Sequence, residues 1–259
     1  MAYLFDGKEI AAERLGKLNA LFAPATENFL RGRARGKIGA AWDLGCGVGH
    51  TTRSLRSAVE ADAYIGWDNS EFAIRRARET SENMPEISYR VADIAQPGFT
   101  DEPADLIYMR LLLTHLKAPE ASLLLWSERL RPGGRILLEE TESIATGMPA
   151  FRDYIAVVDA MLEANGNFLY IGETLDKMAF GGRLAKEYSA TGLVPATARQ
   201  AAEMFLLNLA TWRDTEFIRA NYSADVARIE RGLTELAGTA SKEPAITWSM
   251  RRMALTRAL

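Results

Sequence analysis

The chain has 259 residues, 48% of them hydrophobic and 25% charged, with a formal net charge of −3 and a pI near 5.6. That is ordinary globular composition, long enough for one large domain or a core domain plus a cap. The acidic balance speaks against a nucleic-acid partner, which would require a basic surface. The single cysteine, Cys46, excludes an intrachain disulfide and fits a reducing compartment.

The opening, MAYLFDGKEIAAERL, is charged early and lacks the apolar core of a secretory leader. No window reaches the apolar length of a membrane span. A soluble cytoplasmic protein with no membrane partner is therefore expected. Residues 9–31 space their apolar side chains as a helix does, but Pro24 interrupts them, which predicts two helices with a break.

IGAAWDLG then reads as a buried strand and HTTRSLRSAVE as a helix. ADAYIGWD is a second strand, and NSEFAIRRARETSEN a helix with Ser70 as its N-cap. ISYRVAD and ADLIYMRLLL supply the third and fourth strands. APEASLLLWSERL is a helix that RPGG ends, and RILLEE is the fifth strand. This alternation from residue 40 to 140 predicts a parallel sheet with helices on both faces.

After residue 143 the rhythm changes. MPAFRDYIAVVDAMLEANGNF and GETLDKMAFGGRLAKEYSAT read as helical, and LVPATARQAAEM as the place of a sixth strand. A long helical stretch follows, and PAITWSMRRMALTRAL reads as the last strand. Helices inserted this late would lie over the carboxyl edge of the sheet, where open α/β sheets bind ligands.

The stretch AAWDLGCGVGHTT, residues 40–52, places Gly45, Gly47 and Gly49 after the first strand. A dinucleotide fingerprint, G-x-G-x-x-G, would need a glycine where His50 stands. The pattern present is D-x-G-x-G-x-G, and the carboxylate of Asp43 repels a phosphate but suits a cationic ligand. WDLGCGVG resembles the first motif of the class I S-adenosylmethionine-dependent methyltransferases. The resemblance extends over residues 9–143 and looks most like the branch acting on small molecules. It implies an α/β fold with a doubly wound, mostly parallel seven-stranded sheet. Three regions are expected: N-terminal helices over residues 1–36, a cofactor-binding Rossmann-like core over 37–143, and over 144–259 the rest of the sheet with a helical cap forming the acceptor site.

The same resemblance implies S-adenosylmethionine as cofactor, S-adenosylhomocysteine as its product, and roles for named residues. The backbone at Gly45, Gly47 and Gly49 lies against the methionine and ribose parts, with Asp43 near the amino end. Asp68, ending the second strand, takes the ribose hydroxyls, and Asn69 lines the adenine site. Asp93 and Ile94 meet the adenine edge. Arg110, after the fourth strand, sits beside the cofactor, partly through its backbone. Arg14 either pairs with the cofactor carboxylate or is a solvated helix residue. For each acid alone a turn or cap is the plain alternative; three acids ending three successive strands weaken it.

Methyl transfer from a sulfonium is an in-line displacement, so alignment and water exclusion matter most. A hydroxyl acceptor needs a base, and His115 is the candidate, with a local packing role as the alternative. His50 belongs near the methionine end or in solvent. Glu139 and Glu140 are expected to end the fifth strand facing the site mouth, where one orients a cationic or hydroxyl-bearing acceptor, with ordinary sheet-edge capping as the alternative for at least one of them. Tyr3, Phe5, Tyr154, Phe168, Tyr170, Phe205 and Trp212 are candidate lining, and NGNFLYIGE a lid element. No cluster has metal-ligand spacing, so no metal is expected. The reading is transfer of a methyl group to an O, N or C atom of a small molecule, in secondary metabolism. Its rivals are a cofactor-binding protein that does not methylate (a regulator or a rearrangement catalyst), a nicotinamide oxidoreductase, and a methylator of protein. A homodimer is compatible with the sequence.

Overall fold

The computed structural model describes residues 8–257. In chain order its strands are β1 (Ala40–Leu44), β2 (Ala63–Asp68), β3 (Ile87–Val91), β4 (Ala104–Arg110), β5 (Leu130–Thr146), β6 (Leu184–Thr197) and β7 (Pro244–Arg257). They form one seven-stranded sheet in the order β3-β2-β1-β4-β5-β7-β6. β1 runs parallel to β2 and β4, β2 to β3, and β4 to β5, whereas β7 lies antiparallel between β5 and β6. The chain steps outward one way from β1 to β3, then returns to start β4 on the other side of β1. That reversal leaves a crevice beyond the carboxyl ends of β1 and β4.

The helices are α1 (Lys8–Arg33), α2 (His50–Ala58), α3 (Glu71–Glu79), α4 (Pro119–Ser127), α5 (Pro149–Ala164), α6 (Gly172–Lys177), α7 (Ala198–Trp212), α8 (Glu216–Asn221) and α9 (Ser223–Ala237). β1 and β2 are apolar runs covered on both faces, as central parallel strands must be. Ser70 caps α3 as expected, its hydroxyl accepting from the Ala73 N–H at 3.2 Å. Thr197 and Gln200 form a reciprocal capping box that starts α7. Among the described residues, no helix is long and apolar enough to cross a membrane.

Three expectations fail locally. Pro24 does not break the N-terminal helix; α1 is continuous through it. A mid-helix proline costs about 3 kcal/mol, and α1 offsets this by burying Phe22, Thr26, Phe29 and Leu30 and packing on α2 and α7. RPGG does not merely end a helix: it lies within β5, at the register shift between Ala104 and Leu106 of β4. The stretch read as helical from residue 172 is one short α-helix and a 3-10 turn, Phe180–Gly182, followed by β6, so the sixth strand begins at Leu184. β6 is an edge strand, largely exposed along its first half, so its sequence lacks the apolar run or clean alternation that marks a strand.

The carboxyl-terminal halves of β5 and β6 and the amino-terminal half of β7 extend past the parallel part of the sheet as an antiparallel ribbon. Ile144 pairs with Trp248, and Trp248 with Val194. α5, α7 and α9 cover this ribbon and share one apolar core with it.

Candidate active site

A cavity of about 880 Å³ opens at the carboxyl edge, toward the upper end of the ~300–1,000 Å³ typical of small-ligand sites. The sheet order sets its walls. The ends of β1, β2 and β3 form one end, α1 and the segment after β4 form the middle, and α5, residues 165–169, α7 and the ribbon form the other.

Gly45 and Gly47 line the first end with positive φ, at +69° and +52°. A side chain on Gly45 would place its Cβ 2.8 Å from Leu112 Cδ1, and one on Gly47 would crowd Leu15 at 3.2 Å. Gly49 is absent from the cavity lining. Its φ of +82° starts α2, and a Cβ there would meet the Tyr89 hydroxyl at 2.5 Å and Ala77 at 3.0 Å. Gly49 therefore serves helix–strand packing, with no direct face to a ligand.

Asp43 also lies outside the cavity lining, beneath the loop. Its Oδ2 accepts from the hydroxyls of Thr51 at 2.6 Å and Thr52 at 2.7 Å, tying β1 to the first turn of α2. Burial pushes its pKa up to about 6, with the two threonine bonds and Arg110 acting in the opposite sense.

Asp68, Asn69, Asp93 and Ile94 line the same end. Asp68 Oδ2 accepts from the Gly47 N–H at 2.8 Å and Oδ1 from the Ser70 N–H at 2.9 Å. Each carboxylate oxygen has a second lone pair, so Asp68 braces the loop and can still accept from a ligand's hydroxyls. Asp93 accepts from the Ala95 N–H at 3.1 Å and from Gln96 Nε2 at 3.2 Å. The Ile94 carbonyl is held by Trp126 Nε1 at 2.8 Å. Backbone glycines, two acids at successive strand ends and a neighbouring amide fit a nucleoside's hydroxyls and base edge.

The middle strip holds Arg14, His50, Arg110 and His115. Arg14 is buried, not solvated, and its charge acts on both His115 and Tyr154. Arg110 is committed to α1: Nη1 donates to Thr26 Oγ1 at 3.1 Å and Nη2 to Asn19 Oδ1 at 3.0 Å. It thereby fixes the helix that roofs the cavity. His50 Nδ1 lies 3.0 Å from Arg53 Nη2. Since a guanidinium only donates, Nδ1 accepts and Nε2 carries the proton. Burial, then Arg53, lowers the His50 pKa to about 4. Burial, then Arg14, lowers His115 to about 4 as well. His115 is thus a neutral imidazole at physiological pH.

Glu139 and Glu140 do not face the site. Both are fully buried, and β5 continues past them. Glu139 accepts from Thr26 Oγ1 at 2.7 Å, Tyr108 Oη at 3.0 Å and Arg252 Nε at 2.7 Å. Thr26 links this cluster to Arg110. Glu140 Oε1 accepts from the N–H groups of Leu112 at 2.8 Å and Leu113 at 2.7 Å. It therefore shapes the segment that carries His115. Leu111, next to it, has a φ of +55°. Burial raises Glu140 to about 7 against those donors. Burial, then Asp43 and Asp68, pushes the Cys46 thiol up as well, which keeps it protonated.

At the far end, Tyr154 and Phe205 line the cavity, their rings stacked at 4.0 Å. Trp212 is buried behind Tyr154, and Phe168 is exposed at 57%. Phe168 and Tyr170 are absent from the lining, and Tyr3 and Phe5 fall outside the described residues. Of the expected lid, Asn165, Asn167 and Leu169 face the cavity. Sequence reasoning missed Ile144, Asn208 and Trp248. Ile144 and Trp248 meet only because β5 and β7 pair there, and Asn208 was legible only as a polar position in an apolar helix. Among the described residues, no group of three or more His, Cys, Asp or Glu could hold a metal.

This order of strands around a glycine loop defines the Rossmann-like methyltransferase fold. Residues 42–138 match the family described as a methyltransferase domain. That stretch therefore carries a methyltransferase domain, and its glycine loop and strand-end acids are similar to those of the class I S-adenosylmethionine-dependent methyltransferases. It is 30% identical over 177 residues to a 37.1 kDa protein of transposon TN4556 from Streptomyces fradiae, covering 64% of this chain and 49% of that one. It is 32% identical over 97 residues to trans-aconitate 2-methyltransferase of Variovorax paradoxus, covering 38% and 36%. The chain therefore spans half or less of these relatives' lengths. In fold it resembles the solved (4+2)-cyclase SpnF, with a TM-score of 0.59, 17% identity, and coverage of 92% of this chain and 82% of that one.

Proposed function

We propose that the chain transfers a methyl group from S-adenosylmethionine to an O, N or C atom of a small-molecule acceptor. The observation that carries this is one continuous cavity. It joins a polar end suited to a nucleoside with an apolar end roofed by helices. When bound, the cofactor supplies an electrophilic methyl group on sulfur and a neutral leaving group. Asp68 accepts from ribose hydroxyls, Asn69, Asp93 and Ile94 meet the base, and Arg14 receives the cofactor carboxylate. Asp43, Gly49 and Arg110 keep the loop and the roof helix in place.

The residues then have little bond chemistry to perform. Holding donor and acceptor at attack geometry accounts for roughly 7–11 kcal/mol in favourable cases. Neutral His115 orients the acceptor and accepts a hydrogen bond from it. With a pKa near 4 it is too weak a base to ionise an alcohol, which favours acceptors that are already nucleophilic or readily ionised. The same feature supports a second reading, a binder of this cofactor that rearranges its partner without methylating it. SpnF, a cyclase, shares the fold.

Incubation of the chain with methyl-labelled cofactor and candidate acceptors separates the two readings by mass spectrometry. The first expects S-adenosylhomocysteine to accumulate in step with methylated product. Intact cofactor beside an isomerised acceptor would overturn it.

A further inference from the structure

The residues that α5, positions 165–169, α7, β5 and β7 contribute to the cavity carry no charge. The acids that line it are Asp68 and Asp93, both at the opposite end. An ammonium would find no counter-ion at the far end, and burying an unpaired charge is strongly unfavourable. A carboxylate would have to leave the far end to reach Arg14 or Lys117.

What the far end does offer is neutral polar atoms in an aromatic wall. Asn167 is 3% exposed and Asn208 is 8% exposed, and each lines the cavity. Asn208 Nδ2 donates to Tyr154 Oη at 2.6 Å, while its Oδ1 is buried without a hydrogen-bond partner. Asn167 Oδ1 is buried and unpartnered too. A buried acceptor without a donor costs roughly 1–3 kcal/mol, so two beside one cavity indicate a ligand that supplies donors. Tyr154, Phe205 and Trp248 form the wall around them, Phe205 meeting Trp248 edge to face at 5.9 Å.

We propose that the acceptor is an uncharged, largely apolar aromatic molecule whose buried end carries a hydroxyl that donates to one of the two amide oxygens, Asn167 Oδ1 or Asn208 Oδ1. The assignment rests on the methyl-transfer reading, but the chemistry of the far end is testable apart from it. Three probes share one ring and differ in the polar group: 2-naphthol, 2-naphthoate and 2-naphthylmethylammonium. Each is titrated calorimetrically into the whole chain, with and without S-adenosylhomocysteine.

The expected result is that 2-naphthol binds at least about tenfold more tightly than either charged probe, the worth of one neutral hydrogen bond. At least one of Asn167→Leu and Asn208→Leu loses that margin, while S-adenosylhomocysteine uptake stays within about twofold in both. Equal or tighter binding of 2-naphthoate or the ammonium overturns the proposal and needs no variant, so a variant that fails to fold does not shelter it. Unchanged 2-naphthol binding in both folded variants also overturns it. Loss of S-adenosylhomocysteine uptake with the probe ranking intact would instead sink the methyl-transfer reading and leave the far-end chemistry standing.

Discussion

The two ends of the cavity are built by different means. The nucleoside end is made of strand termini and the short loops behind them, so its groups are set by a few adjacent residues: Gly45 and Gly47, Asp68 and Asn69, Asp93 and Ile94. The far end is assembled from α5, α7 and a ribbon whose strands lie far apart in sequence. Ile144, Asn167, Asn208 and Trp248 share one wall although more than a hundred residues separate the first from the last. Local construction suits an invariant ligand, and remote construction lets one end change without disturbing the other. Substitutions at either end should therefore act on different ligands, and measurements of both can break that division.

The largest effect is expected from Trp248→Ala, which removes a buried ring packed against Phe22 and Phe205. Urea unfolding should show a loss of about 3–5 kcal/mol, with affinity for S-adenosylhomocysteine changed little in the fraction that remains folded. A large loss of that affinity would mean that the two ends are coupled. Gly49→Val should cost about 2–4 kcal/mol, because a β-branched side chain is forced into positive φ and against Tyr89. Asp68→Ala removes the acceptor of the Gly47 and Ser70 N–H groups. Calorimetry should then find S-adenosylhomocysteine bound about 100-fold more weakly, the equivalent of one charge-assisted hydrogen bond, with 2-naphthol binding retained.

Smaller effects sharpen the comparison through pH. Burial raises the Glu140 pKa to about 7, from an ordinary carboxyl value of 4.5, so the folded state holds its proton more tightly. Its contribution is present below the unfolded pKa and is lost as pH rises from about 4.5 to 7. Glu140→Gln should remove that slope, on the order of 1–3 kcal/mol, read as melting temperature against pH. His115 shifts the other way, to about 4, so it destabilises the fold only as pH falls below about 6.5. It stays neutral from about pH 6 to 8, and kcat/KM should show no inflection from it there. An inflection near 7 that disappears in His115→Asn would show that the imidazole gains a proton in the loaded site.

Much of the parallel sheet was legible because its signals are local. AAWDL and AYIGWD are apolar runs bounded by turn residues, and Ser70 is a cap whose partner lies three residues on. The site residues grouped at strand ends were legible for the same reason. Gly49 and Asp43 show the limit of such reasoning. The string places them in the loop, but their directions depend on Tyr89 and on the first turn of α2. Glu139 and Glu140 read as strand-end acids because the length of β5 depends on its pairing with β7. Pro24 read as a break because its penalty is local, whereas its compensation comes from helices elsewhere in the chain.

The sequence by itself determined the alternation of strands and helices, the glycine turn and the acids that follow it, since these need only neighbours within a few residues. Tertiary structure alone decided which strand lies beside which, the depth of the cavity, and the uncharged far end. Those features depend on contacts between segments that meet only after the chain has collapsed, where burial sets the cost of every charge.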